Sequence, residues 1–92
     1  MSARIADLVK TLVAENFVMV FSKSYCPYCT KAKNTLSANG QKFKAVELDK
    51  EADGPAIQQH LADLTGQRTV PNIFIDGKHI GGCSDLLDLQ SS

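Results

Sequence analysis

The sequence predicts an α/β fold, a four-stranded mixed sheet flanked by helices in the order α-β-α-β-α-β-β-α. Three observations lead there. An amphipathic stripe precedes a short, uninterrupted apolar run. A helical segment separates that run from a second strand, as a parallel crossover requires. Two apolar segments then flank an Asp-Gly pair, the mark of a tight hairpin.

Each element has its own reason. Ile5, Leu8, Val9, Leu12 and Val13 recur at the spacing of one helical face, so the first helix covers a sheet. Residues 17–21, Phe-Val-Met-Val-Phe, read as a central strand buried on both faces. Pro27 suits the first helical position and Asn39-Gly40 supplies a left-handed stop, giving a second helix over about residues 27–38. Residues 43–48 form the next strand, parallel to the first through a right-handed crossover. Asp53-Gly54-Pro55 opens a third helix, with Asp53 as cap and Pro55 at its first position. Its apolar side is Ile57, Leu61 and Leu64, and Gly66 closes it. Residues 73–75 and 78–80 pair antiparallel about Asp76-Gly77. Gly81-Gly82-Cys83-Ser84 leads into a last short helix carrying Leu86, Leu87 and Leu89, with Ser84 as cap and Asp85 in the first turn.

A chain of 92 residues supports one domain with one core. Apolar content of 43% and charged content of 22% are ordinary, and no apolar run approaches the ~18 residues that span a bilayer. Ten basic residues balance ten acidic ones, so neither nucleic acid nor a membrane is an expected partner. No apolar leader follows Met1, which points to an intracellular reducing compartment, the cytoplasm. Charge is uneven along the chain. Lys23, Lys31, Lys33, Lys42 and Lys44 fall in a stretch without acids, whereas Glu47, Asp49, Glu51, Asp53 and Asp63 follow against Lys50 alone. Lys42 and Lys44 read as a solvated face.

Three cysteines, an odd number, argue against a fully paired disulfide scaffold. Cys26-Pro27-Tyr28-Cys29 sits where a strand hands over to a helix N-terminus. Unpaired N–H groups and the positive end of the helix dipole favour a thiolate there, so Cys26 is the candidate nucleophile. Cys29, one turn inside, is expected to be more buried and less acidic. The chemistry implied is thiol–disulfide exchange.

Cys26-Pro27-Tyr28-Cys29, the segment Gly66-Gln67-Arg68-Thr69-Val70-Pro71 and the turn Gly81-Gly82-Cys83-Ser84-Asp85 together resemble a dithiol glutaredoxin of the thioredoxin superfamily. The resemblance covers nearly the whole chain and implies a thioredoxin fold. It implies a monomeric glutathione-dependent oxidoreductase acting on glutathionylated or disulfide-containing proteins, with electrons arriving from NADPH through glutathione reductase. Cys26 would carry glutathione as a mixed disulfide, and Cys29 would resolve protein disulfides. Lys23 and Arg68, with Gln58 beside them, would meet the glycyl carboxylate of glutathione. Val70, before a cis Pro71, would pair with its cysteinyl backbone. The N–H groups of Cys83, Ser84 and Asp85 would hold the γ-glutamyl carboxylate, and the Asp85 side chain the ammonium. Thr69 and Gly82 would shape the groove, and Tyr28 would line its rim.

Plainer readings stand beside these. Lys23 and Gln58 also read as solvated surface, Arg68 as a surface partner of Asp63 or Asp85, Tyr28 as structural and Val70-Pro71 as a strand-entry turn. Cys83 reads as a semi-buried, non-catalytic thiol open to glutathionylation or to bridging two chains, and His60 as an exposed helix residue. Cys26, Cys29, His79 and Cys83 have zinc-ligand spacing, yet the hairpin should carry His79 away from the helix start, and no metal is expected. The alternative function is a dimeric carrier of an iron–sulfur cluster ligated by glutathione. Members of the family that readily assemble clusters often have Gly or Ser where this chain has Pro27. The sequence stops at Ser92, soon after Leu89, where many members continue into a longer terminal helix.

Overall fold

The computed structural model describes residues 3–91. In chain order the elements are α1 (Ala3–Glu15), β1 (Val18–Ser22), α2 (Pro27–Ala38), β2 (Lys44–Glu47), α3 (Gly54–Thr65), β3 (Asn72–Ile75), β4 (Lys78–Gly81) and α4 (Cys83–Ser91), with a 3₁₀ turn at Leu48–Lys50. The sheet order is β2-β1-β3-β4. β1 runs parallel to β2 and antiparallel to β3, and β3 pairs antiparallel with β4. The predicted α/β architecture and its mixed sheet are therefore the observed ones.

Strand geometry explains why β1 is apolar without interruption. Successive side chains point to opposite faces, and both faces are covered. Met19 and Phe21 join Ile5 and Val9 of α1, Ile57 and Leu61 of α3, Leu48 and Phe74 on one side. Val18 and Val20 join Ala32 and Leu36 of α2, Cys83 and Leu86 of α4, and Ile73 on the other. Phe21 and Phe74 meet edge to face, with ring centroids 5.9 Å apart.

Turn chemistry sets the boundaries. After α2, Gly40 takes φ 68°, its N–H reaches the Ser37 carbonyl at 3.0 Å, and the Gln41 N–H reaches that of Leu36 at 2.9 Å. This double closure is the expected left-handed stop. Asp76 and Gly77, with φ 53° and 77°, form the predicted primed hairpin turn.

Several local expectations are corrected. Phe17 precedes β1 and is 59% exposed, and Leu64 and Leu89 also face outward, because neither core layer reaches them. Phe43 lies before β2, and Leu48 leaves the strand for the 3₁₀ turn, where it is buried. Asp53 precedes α3 but makes no side-chain cap. Its carboxylate instead takes both ends of the Arg4 guanidinium, at 2.8 and 3.1 Å, tying α1 to the start of α3. Gly54 begins α3, so Pro55 stands one position later than expected.

Gly54 is required by close approach. A Cβ built there would lie 1.8 Å from the Leu48 carbonyl oxygen, which is backbone and cannot swing aside. Gly54→Ala is expected to destabilise the chain by about 2–3 kcal/mol, the scale of overpacking. The check is a lowered denaturant midpoint at unchanged slope.

Candidate active site

β1 carries the chain to its own carboxyl end, in the interior of the sheet, and a turn closed by the Cys26 N–H on the Lys23 carbonyl at 3.1 Å directs it into α2. The turn is anchored from outside. Asp49 accepts the Ser24 N–H at 2.9 Å and also the Ser24 hydroxyl, and these bonds hold its carboxyl below the usual carboxylate range.

Cys26 is the N-cap of α2, in extended conformation, and its sulfur accepts the Cys29 N–H at 3.4 Å. Pro27 follows as the first helical residue, where its missing N–H leaves no partner wanting. Burial disfavours ionisation of Cys26, but other contacts outweigh it. Hydrogen bonds from the Cys29 thiol and from the Cys29 and Tyr28 N–H groups, with attraction from Lys33, bring the thiol below its ordinary range. Cys29 is fully buried, and burial pushes its thiol up, against hydrogen bonds from the Lys23 N–H and the Ser22 hydroxyl. The expected division into an acidic, accessible thiol and a buried, less acidic one is thus built into the first turn of the helix.

Lys33 bonds Glu47 at 2.8 Å beneath this turn. Lys33→Gln removes a cation that favours the thiolate, so Cys26 alkylation should reach its half-maximal rate at higher pH. At neutral pH it should slow about two- to threefold, the scale of a partly solvated charge contact. Iodoacetamide kinetics across pH measure this directly.

Beside Cys26 runs a groove of about 570 Å³, lined by Tyr28, Gln67, Thr69, Val70, Pro71, Gly82, Cys83, Ser84 and Asp85. The Val70-Pro71 bond is cis, and the Val70 carbonyl lies 3.8 Å from the Cys26 sulfur. At the far wall α4 begins. Its first intrahelical bond runs from the Leu86 N–H to the Gly82 carbonyl, so the N–H groups of Cys83, Ser84 and Asp85 belong to the open first turn. Ser84 is not the cap. α4 starts at Cys83, and the Asp85 carboxylate in its first turn reaches back to accept the Gly82 N–H at 2.9 Å. Gly81, at φ 124°, leaves room for it, since a Cβ there would lie 2.3 Å from the same carboxylate oxygen.

Seven predicted residues thus meet in the groove, with Tyr28 as an exposed rim. Gln58 and Arg68 line a smaller neighbouring hollow with Pro55, Gln59 and Ala62. There the Gln58 amide donates to the Arg68 carbonyl at 2.8 Å. Lys23 is half-buried and enters the turn through its backbone. Gln67 was missed as a site residue. Its amide donates to the Thr69 and Pro71 carbonyls at 3.0 and 2.9 Å and braces the loop, a role its position beside Arg68 gave little sign of.

Cys83 lines the groove, and its side chain is also buried in the layer between β1, α2 and α4. The other candidates fall elsewhere. His79 bonds Asn72 at 2.9 Å and packs on Phe74. Among the described residues no three His, Cys, Asp or Glu side chains converge as a metal set. His60 is half-buried rather than exposed, with its Nδ1 buried and without a hydrogen-bond partner. Among the described residues, no helix is long and apolar enough to cross a membrane.

An acidic N-cap thiol, a buried second thiol one turn on and a cis-proline loop facing them define a dithiol oxidoreductase on the thioredoxin fold. The chain belongs to the glutaredoxin family, whose model matches residues 18–80. It is 65% identical over 74 residues to a glutaredoxin of Ricinus communis, covering 80% of this chain and 72% of that protein. To Glutaredoxin-C2 of Arabidopsis thaliana it is 62% identical over 81 residues, covering 88% and 73%. A crystal structure of a buckwheat glutaredoxin–glutathione complex superposes with a TM-score of 0.94 at 45% identity, covering 96% of this chain and 80% of that one.

Proposed function

We propose that the chain is a glutathione-dependent thiol–disulfide oxidoreductase that reduces glutathione mixed disulfides and protein disulfides. The observation that carries this reading is the acidic Cys26 thiol, 3.8 Å from the Val70 carbonyl of a groove that ends in the open first turn of α4. Glutathione offers two carboxylates, an ammonium and a peptide backbone. The N–H groups of Cys83, Ser84 and Asp85 suit its γ-glutamyl carboxylate, and the Asp85 carboxylate suits its ammonium. The Val70 backbone suits its cysteinyl part. Lys23, Gln58 and Arg68 remain the donors for the glycyl end, with Thr69, Pro71 and Gly82 shaping the floor and Tyr28 the rim. The similar buckwheat protein forms a complex with glutathione, which supports glutathione as the ligand of this groove.

In this reading the Cys26 thiolate attacks the glutathione sulfur of a mixed disulfide. A Cys26–glutathione disulfide forms, and the substrate leaves as a thiolate that takes up a proton. A second glutathione thiolate then attacks that disulfide, releasing glutathione disulfide and regenerating Cys26. With a protein disulfide as substrate, Cys26 bonds one of its sulfurs and the other leaves as a thiolate. Cys29 then attacks the Cys26 sulfur, and the protein sulfur leaves as a second thiolate. The Cys26–Cys29 disulfide so closed is reopened by two glutathione molecules that depart as glutathione disulfide. Electrons derive from NADPH through glutathione reductase, and we place the protein in the cytoplasm as a monomer.

The test is NADPH consumption with glutathione, glutathione reductase and a small glutathione mixed disulfide, with and without the protein. Rapid catalysis is expected. No catalysis by folded, reduced protein would overturn the reading and bring cluster carriage forward.

A further inference from the structure

A glutathione mixed disulfide brings two halves to Cys26. The groove of Val70, Pro71 and the start of α4 suits the glutathione half. The polypeptide half departs with its own sulfur, so it must rest on the surface around the thiol that the groove leaves over. That surface is aromatic. Among the described residues five large apolar or aromatic side chains stand exposed, and two of them, Tyr25 at 71% and Tyr28 at 66%, lie within two positions of Cys26. Tyr28 belongs to the rim of the groove, whereas Tyr25 stands outside its lining. Pro27, between Cys26 and Tyr28, is exposed as well.

A ring at position 25 does not serve the fold. Among the described residues, Tyr25 belongs to neither core layer. It occupies the third position of the turn that the Cys26 N–H closes on the Lys23 carbonyl at 3.1 Å, where small polar residues and glycine are the usual choice. The backbone on either side of it is pinned. Asp49 accepts both the N–H and the hydroxyl of Ser24, and Cys26 caps α2. A tyrosine on such a fixed backbone loses only two side-chain torsions when a partner covers it, which is why the residue is enriched as an anchor at interfaces.

We propose that Tyr25 is a specificity-determining residue, an aromatic plate that receives an apolar side chain next to the target cysteine of a polypeptide substrate. The inference rests on the reading of the chain as a glutathione-dependent oxidoreductase. The plate is continuous with the groove through Pro27 and Tyr28, so a polypeptide on Tyr25 and glutathione in the groove meet at the Cys26 sulfur. As that sulfur bonds the glutathione sulfur, the substrate disulfide breaks, and its electron pair leaves with the polypeptide thiolate, which takes up a proton from water. Tyr25 therefore acts on this first half-reaction alone. The second, attack of free glutathione on the loaded Cys26, is the same whatever polypeptide has left.

The experiment measures kcat/KM of the full chain for glutathionylated peptides, a quantity that reports the first half-reaction only. Two peptides differ solely in the residues flanking their cysteine, both leucine in one and both glycine in the other, and a small glutathione mixed disulfide serves as reference. The unaltered chain should favour the leucine peptide by about tenfold, the effect of one well-used interface aromatic. Tyr25→Ala should erase most of that preference and leave kcat/KM for the small disulfide unchanged. Tyr25→Phe, which keeps the ring, should retain the preference, a rescue that a defect in the turn would not show. Equal values for the two peptides in the unaltered chain, or a preference that survives Tyr25→Ala, overturns the inference. So does a parallel loss by Tyr25→Ala on all three substrates, since the ring would then act on the nucleophile and not on the polypeptide. No turnover of any glutathione mixed disulfide by the unaltered chain would overturn the underlying reading, and the inference with it.

Discussion

Cys26→Ser is expected to remove oxidoreductase activity, by about 10⁴-fold or more, the scale on which a reaction loses its sole nucleophile. A serine hydroxyl at the same N-cap keeps the helix start intact, since serine is itself a preferred cap, so the loss would be chemical and not structural. Cys29→Ser is the instructive contrast. Turnover of small glutathione mixed disulfides should persist, because a second glutathione can release Cys26, whereas single-step reduction of protein disulfides should fail. Parallel assays on both substrate classes read this split. Substantial turnover by Cys26→Ser would refute the assignment of roles.

Phe21→Ala should have the largest effect on stability. The ring is fully buried at the centre of the layer formed with α1 and α3 and meets Phe74 edge to face. Truncating such a ring costs about 3–5 kcal/mol, through lost transfer energy and the cavity left behind. Against a total of about 5–15 kcal/mol for a small domain, that is a large share. The midpoint of thermal unfolding should drop by roughly 15–30 °C. Because β1 carries the chain directly to Cys26, activity should fall in step with the folded fraction. A loss of a degree or two would show that the core tolerates the void.

Much of this was legible beforehand, for identifiable reasons. α2 ends where Asn39-Gly40 said it would, since a left-handed glycine closes a helix wherever the helix packs. The hairpin follows from Asp76-Gly77 alone, and the reactive thiol from a Cys at a helix start. Misreadings arose where neighbouring residues of like character compete. Phe17 and Leu64 are as apolar as Phe21 and Leu61 of the same segments, and only the reach of the packed layers decides which are covered. Ser84 is as good a cap as any residue of that turn, but α4 begins one residue earlier, at Cys83, so Ser84 lies inside the helix, while Asp85 stands in the first turn as expected.

The sequence by itself determined the periodicities, the turns and the presence of a thiol at a helix N-terminus, because these depend on residues within a few positions of one another. The family resemblance rested on the same local motifs. Tertiary structure alone decided what surrounds the two sulfurs. Ser22 and Glu47 lie 25 positions apart and meet only through the register of β1 and β2, and Lys33 joins them only because α2 crosses over that pair. The Val70 carbonyl reaches Cys26 across 44 positions. Such contacts are set by how whole elements dock, which no short window of sequence contains.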